Sequence, residues 1–378
     1  MNQGERGNPP VIECRMLGPV EMIVDDTTRP LGGPKQRAVL AMLAINRNRP
    51  LSAQTLATTA WDGRPPPDYR GSVQVVISNL RKLISDSKIE ARSVLASAPP
   101  GYRLTLSDER CDVGRFQLRK KQGFKAAADH RFEEAFTHFT HALQEWRGEA
   151  LNDLRGMGFA DSFAAAMQED QLAIITARAE SEIACGHVDA VISELTPIVE
   201  RHALREPLWA QLITALYLGG RQSDALGTCR RLRSLLAAEL GIDPSPRIQE
   251  LESSILRQEA LNVRAKAAAT AAVAMTIVDD RQVTNHARLH DRTGRVFPIN
   301  ATETSIGRMP DNDVVLDDGN VSRHHAVIVG TTDTYVIRDL HSSNGTYVGG
   351  QRVVNSAALS HDDVIRIGHH ELAFEISG

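Results

Sequence analysis

The stretch "SIGRMPDNDVVLDDGNVSRHHAVIV", residues 305–329, decides how the last quarter of the chain is read. Adjacent His324 and His325 suggest a metal site or acid–base catalysis, but Val321, Val327, Ile328 and Val329 around them have the spacing of an extended strand. Neighbouring side chains on a strand point to opposite faces, so the two imidazoles cannot converge on one ion. From Met275 onward such short runs recur about every ten residues. Turns are expected at Thr293-Gly294, Asp317-Asp318-Gly319, Asn344-Gly345 and Gly349-Gly350. That rhythm predicts an all-β sandwich over residues 276–378.

Upstream the pattern changes. Residues 259–275, EALNVRAKAAATAAVAM, are rich in Ala and poor in bulky apolar groups, the composition of a linker or a frayed helix. Residues 112–258 read as amphipathic helices without convincing strands. Three segments, HRFEEAF, GHVDAVI and GRQSDAL, share a hinge pattern, and Ala190 and Ala225 lie close to the 34-residue period of tetratricopeptide-like hairpins. An all-α repeat module follows, with an unrelated helical bundle as the alternative.

Residues 11–108 begin with two short strands, VIECRML and VEMIVDD, joined at Gly18-Pro19. A helix is expected in KQRAVLAMLAINR, and a second after a Ser52 cap. The third, RGSVQVVISNLRKLI, puts Val73, Val76, Ile77, Leu80, Leu83 and Ile84 on one stripe and Gln74, Ser78, Arg81 and Lys82 on the other face. SVLASAPPGYRLTL then reads as strand, turn, strand. Arg70, Arg81, Lys82, Lys88, Arg92 and Arg103 outnumber Asp86 and Glu90 here, so the subregion is positive inside a chain of net charge -4. A helix with an apolar anchoring face and a polar outer face suits the major groove. The same residues also fit a surface helix with a solvated basic end.

At 378 residues, with 42% hydrophobic and 24% charged residues, the chain has the size and composition of several folded domains. Its start lacks the anatomy of a secretory signal, and no run approaches the roughly 20 apolar residues of a membrane helix. The four cysteines are dispersed without CxxC spacing, which fits a reducing cytoplasm and no zinc or disulfide framework. LGGPKQR lacks the spacing of a phosphate loop. His286 and His290 have no evident third ligand. No nucleophile has a paired base, so neither enzyme chemistry nor a cofactor is expected.

GPKQRAVLAML, VISNLRKLI and APPGYRL resemble the winged helix-turn-helix domains of the OmpR type, as found in the Streptomyces antibiotic regulatory protein family. The following region, including ELGIDPSPRIQELESSIL at 239–256, is similar to the bacterial transcriptional activation domain of those regulators. The resemblance implies base contacts from Gln74, Ser78, Asn79 and Arg81, and phosphate contacts from Arg70, Ser72, Lys82 and Arg103. Asn79 stands where related helices often carry a base. Tyr102 is expected to pack the wing onto its domain.

Gly307-Arg308, Ser322-Arg323-His324-His325 and Ser342-Ser343-Asn344-Gly345 resemble the signature of the forkhead-associated (FHA) domain, a sandwich that binds phosphothreonine peptides through loops at one end. A phosphate dianion needs a guanidinium and short hydroxyl or backbone donors. By the resemblance Arg308, Ser322, Ser343 and Asn344 fill those roles; Arg323 is either a secondary contact or a solvated loop arginine. Gly307, His325, Gly345 and Thr346 are structural by the same resemblance. His325 braces the Ser322 loop and His324 faces solvent.

The whole order, a multidomain α+β chain of winged helix, helical activation module, linker and FHA sandwich, resembles the EmbR-type regulators of mycobacteria. It implies promoter DNA and a phosphothreonine protein, a Ser/Thr kinase in particular, as partners; the helical module is expected to mediate self-association or transmission between the other two. The competing reading is a phosphopeptide-binding adaptor or kinase modulator with weak or lost specific DNA binding.

Overall fold

The computed structural model describes residues 12–85, 90–282, 286–299, 304–310, 312–330, 335–340, 342–353 and 356–377. Lys88 and Asp86 of the basic subregion lie outside them. β1 (Ile12–Arg15), β2 (Glu21–Val24) and β3 (Thr27–Arg29) form an antiparallel sheet, one strand more than the sequence suggests. The extra strand exists because Asp25 and Asp26 take φ of 50° and 59°, turning the chain back in two residues so that Thr27 pairs with Val24. Asp tolerates that left-handed conformation better than most residues.

α1 (Pro34–Ile45) starts with Pro at its first position and buries every residue from Ala38 to Ala44. β4 (Leu51–Ser52) leads into α2 (Ala53–Ala60), whose first turn is capped by Ser52 Oγ accepting the Thr55 N–H at 2.9 Å. Asp68 does the same for α3 (Tyr69–Ser85), accepting the Gly71 N–H at 3.0 Å. α3 buries Val73, Ile77, Leu80 and Ile84, with Val76 and Leu83 partly covered. A short α4 (Ala91–Val94) precedes the wing hairpin, β5 (Leu95–Ala98) and β6 (Gly101–Leu104), with β4 paired to β6. Gly101 is required there, since a Cβ would lie 2.1 Å from the Leu51 carbonyl oxygen.

The helical region contains α5 (Asp112–Ala128), α6 (Phe132–Gln144), α7 (Gly158–Cys185), α8 (Val188–Arg201), α9 (Glu206–Leu218), α10 (Gln222–Leu240) and α11 (Pro246–Leu256). The three hinge motifs open α6, α8 and α10, but their register differs from the sequence reading. Ala135, Val191 and Ala225 donate their N–H groups to the equivalent carbonyls of Arg131, His187 and Arg221, and all three are buried, whereas Ala190 is exposed. The position matching Ala225 is therefore Val191, 34 residues earlier. The alanine in GHVDAVI falls one place too early, on the outer face.

The expected break between residues 108 and 112 is no linker. One continuous core runs from β1 through α1–α3 into α5, α6 and α7, where it takes residues from Ala160 as far as Ala184. At its centre the fully buried Asp112 accepts the N–H groups of Met16 (2.7 Å) and Leu17 (2.8 Å) through Oδ2 and of Val113 (2.8 Å) through Oδ1. Around it the Arg147 N–H donates to Leu17 O at 2.8 Å, Arg37 pairs with Asp153 at 2.8 Å, and Arg115 bridges Glu13 and Glu145. A second core unites α8–α11 with other residues of α7.

Residues 259–275 are not a loose linker either. α12 (Val263–Gln282) packs on α5 and α7 and buries Ala267, Ala268 and Ala271 in the first core. Asn262 Oδ1 accepts the Ala265 N–H, and Arg264 stacks on the Phe132 ring and donates to Ala184 O. Alanine hid this face, because small side chains permit close helix approach without the bulky stripe that marks amphipathicity. α12 extends to residue 282, so the sandwich starts at His286 rather than at 276.

The sandwich comprises β7 (His286–Asp291), β8 (Val296–Pro298), β9 (Thr304–Gly307), β10 (Val314–Val315), β11 (Ala326–Gly330), β12 (Tyr335–Asp339), β13 (Thr346–Val348), β14 (Gln351–Arg352), β15 (Ser356–Leu359), β16 (Asp363–Ile367) and β17 (His370–Ser377). Its sheets have the orders β10-β9-β11-β12-β15 and β14-β13-β16-β17-β7-β8. Ile306, Ile328 and Ile337 of one sheet and Ile365, Leu372 and Phe374 of the other are fully buried between them. Among the described residues no helix is long and apolar enough to cross a membrane.

Asp112→Ala leaves three buried N–H groups without their acceptor and is expected to cost about 3 kcal/mol or more. Urea unfolding followed by the fluorescence of Trp61 and Trp146, both packed at this first core, should show the loss. An unchanged midpoint would mean the carboxylate does not hold the two modules together.

Candidate functional site

Register places the FHA signature loops together. Ile306 near the end of β9 faces Ala326 at the start of β11, which in turn faces Asp339 at the end of β12. The described loop residues next to these strands, 308–310, 312–313, 316–325, 340 and 342–345, therefore lie at one end. Their backbones are tied: the Arg308 N–H donates to Ser322 O at 3.1 Å and the Met309 N–H to Arg323 O at 3.3 Å. Asn312 Nδ2 donates to the carbonyls of Met309 and Arg323. Gly307 lies in extended strand, not in a tight turn, and is needed because a Cβ would meet Arg323 O at 2.3 Å. Gly345 has the turn geometry, with φ of 77°.

His325 is fully buried. Its Nδ1 accepts the Ser322 N–H at 3.0 Å, so the proton sits on Nε2, which donates to Gly345 O at 3.2 Å. One neutral ring thus ties the 322 loop to the 345 turn. Burial lowers its pKa below the ordinary histidine value, against the opposing pull of Gly345 O and Asp339. Asp339 organises the other loop. It accepts the Ser342 N–H and hydroxyl and the hydroxyl of buried Thr346 at 2.7 Å. Burial alone would raise the Asp339 carboxyl, but these donors hold it below the usual range.

Arg308, Arg323, Ser343 and Asn344 are exposed and Ser322 is half-buried. Ser322 Oγ accepts the Ser343 N–H at 3.1 Å, leaving its own proton to donate outward. Asn344 Nδ2 donates to Asn320 O at 2.8 Å, so one of its amide protons is already engaged. His324 does not face solvent freely; it is half-buried and its Nδ1 donates to Asn312 Oδ1 at 3.2 Å. Sequence reasoning missed Asp339 and Asn312, which brace the loops through their side chains, and Asn320, which does so through its carbonyl. The Asp-Gly-Asn spacing of a turn is the signal that pointed at Asn320.

On the first module, Gln74, Ser78 and Asn79 lie on the exposed face of α3, with Arg70 and Lys82 exposed towards its two ends. Ser72 is half-buried, its hydroxyl bonded to Asp68 O. Arg103 is exposed on the wing. Arg81 departs from its expected place among base-contacting side chains. Its Nε donates to Leu95 O at 2.9 Å and its Nη2 to Ser97 Oγ at 3.1 Å, and it lies over the Tyr102 ring, so it fastens α3 to the wing. Val75, not singled out from the sequence, is 60% exposed in the middle of the same face. Lys35 at the start of α1 is held over the Trp61 ring.

Three family models match in order: transcriptional regulatory protein, C terminal, at residues 29–104; bacterial transcriptional activator domain at 111–256; and FHA domain at 304–368. The chain is 51% identical over 371 residues to the transcriptional regulatory protein EmbR of Mycobacterium tuberculosis, covering 97% of this chain and 96% of that protein. The chain belongs to the EmbR family of transcriptional regulators. The solved structure of M. tuberculosis EmbR in complex with a low-affinity phosphopeptide superimposes with a TM-score of 0.75 at 50% identity, covering 98% of this chain and 99% of that one. Beyond the EmbR family, regulatory protein DnrI of Streptomyces peucetius is 30% identical over 253 residues, 66% of this chain and 93% of its own length.

Because neutral His325 accepts the Ser322 N–H, protonation breaks the tie between the loops. Its folded pKa lies below the unfolded value of about 6.5, so the stability it contributes is complete above that value and is lost as pH falls through the folded one. Thermal melts at pH 7.5 and 5.5 should show a larger acid-induced drop for the native chain than for His325→Asn. Equal drops would remove His325 as the titrating brace.

Proposed function

We propose that the chain regulates transcription by reading promoter DNA with α3 and the wing, and that it docks a phosphothreonine-bearing protein, a Ser/Thr protein kinase in particular, in the loops around Arg308 and Ser322. One observation carries the reading: His325 and Asp339 assemble a loop end that presents Arg308, the Ser322 hydroxyl, Ser343 and Asn344 together, in a chain half-identical to a regulator solved with a phosphopeptide. Arg308 supplies charge, Ser322 a donor, and Asn344 the remaining amide proton for the peptide backbone. Gly307, His325, Gly345 and Thr346 hold that geometry, and Arg323 adds charge beside it. The dispersed cysteines suit a reducing cytoplasm.

On the DNA side, Gln74 and Asn79 suit adenine edges, Ser78 either base, and exposed Val75 a thymine methyl group. Arg70, Lys82 and Arg103 hold phosphates, with Ser72 beside them at the start of the helix. The uncharged centre of this face favours a second reading, an adaptor or kinase modulator with weak specific DNA binding. The two separate in one experiment, selection of random and genomic DNA fragments on the full chain followed by sequencing. An enriched motif supports the regulator; salt-sensitive binding without enrichment supports the adaptor.

Two outcomes are expected. Arg308→Ala should weaken binding of a phosphothreonine peptide at least about tenfold in a fluorescence anisotropy titration, since charge-assisted bonds of this kind contribute roughly 1.5 to 3 kcal/mol. Undiminished affinity would exclude Arg308 from the phosphate site. Val75→Ser should relax base preference at one position of the selected motif, by about 1 kcal/mol, whereas Arg81→Ala should loosen the wing and weaken all sequences alike. An altered motif in Arg81→Ala would return that residue to base reading.

A further inference from the structure

The face of α3 assigned to DNA is not open on all sides. A cleft of about 500 Å³ is lined by Gln54 of α2, by Arg70 and Gln74 of α3, by the wing turn around Pro99 and Pro100, and by Pro310 of the FHA sandwich. Pro310 lies two residues beyond Arg308 in the β9–β10 loop. The sandwich thus approaches the wing turn and the start of α3.

Such a cleft matches a small-molecule pocket in size. A duplex needs far more room: a groove about 12 Å wide must close over α3 while its backbone meets the wing. With Pro310 lining the same cleft as Gln74, the sandwich takes up space that an approaching duplex needs. We infer that the β9–β10 loop is an intramolecular occupant of the DNA-reading face, so that this closed arrangement and DNA-bound protein exclude each other. The inference rests on the proposed DNA-reading role of α3.

The same loop couples the face to the phosphopeptide site. The N–H groups of Arg308 and Met309 are bonded to the carbonyls of Ser322 and Arg323, so Pro310 cannot shift independently of the phosphate-binding loops. A peptide seated on the loops of Arg308 and Ser322 competes with the wing turn for the space beside Pro310. Phosphopeptide engagement therefore favours departure of the sandwich from the wing, and apparent DNA affinity rises by the inverse of the open fraction.

The test is a full-length Pro99→Cys/Pro310→Cys variant treated with a short bismaleimide, with each single variant as control for the four native cysteines. An intramolecular cross-link specific to the double variant is expected. The cross-linked protein should bind the selected DNA at least about tenfold more weakly than the same variant before cross-linking, and a phosphothreonine peptide should slow the cross-linking while its unphosphorylated counterpart does not. Absence of the cross-link, or unchanged DNA affinity once it has formed, would overturn the inference. Failure of the untreated native chain to enrich any DNA would instead overturn the reading of α3.

Discussion

A buried carboxylate with three N–H donors is the constraint on which the first half of the molecule turns. Asp112 sits at the start of α5, and two of its donors, Met16 and Leu17, come from the chain leaving β1. Removing this carboxylate from water raises its pKa, against the lowering effect of the donors. A group buried at such cost persists where its hydrogen bonds fix a geometry that apolar packing alone would leave loose. Here it fixes the angle at which the opening sheet meets the helical module. The sheet and α1 share that core, and α1 and α2 pack against α3, so the orientation of the reading helix is referred to the helical module rather than to a flexible joint.

The sandwich applies the same principle with a neutral group. His325 joins the Ser322 loop to the Gly345 turn through one imidazole, and Asp339 gathers Ser342 and Thr346. The exposed residues in between are left with few alternatives. Ser322 has its acceptor engaged and its donor available, and Asn344 has one amide proton engaged and one available. The site is shaped less by the groups that would touch a ligand than by those that have already been satisfied behind it.

Much of this was legible in the residues. Strong period-two and period-3.6 patterns marked the strands and helices, and the ordered Gly-Arg, Ser-Arg-His-His and Ser-Ser-Asn-Gly segments marked the loop end of the sandwich. What stayed hidden shares a physical cause. The hinge register shifted because Ala190 and Val191 both fit the spacing and only burial separates them. The union of the first two modules depends on Asp112, whose importance lies in distant backbone donors that sequence does not reveal. Arg81 looked like a base reader because its helical position is right; only the approach of Leu95 and Ser97 shows that its guanidinium is already engaged.

α12 has a different consequence. It rests on the first core through Ala267, Ala268 and Ala271, and burial of three methyl groups contributes only about 2 kcal/mol. That is the scale at which one binding event commonly influences another in proteins. With the Arg264 stack on Phe132 and its bond to Ala184 O beside those methyl groups, the helix leading to the sandwich is held by many small contacts spread along its length rather than by one bulky stripe.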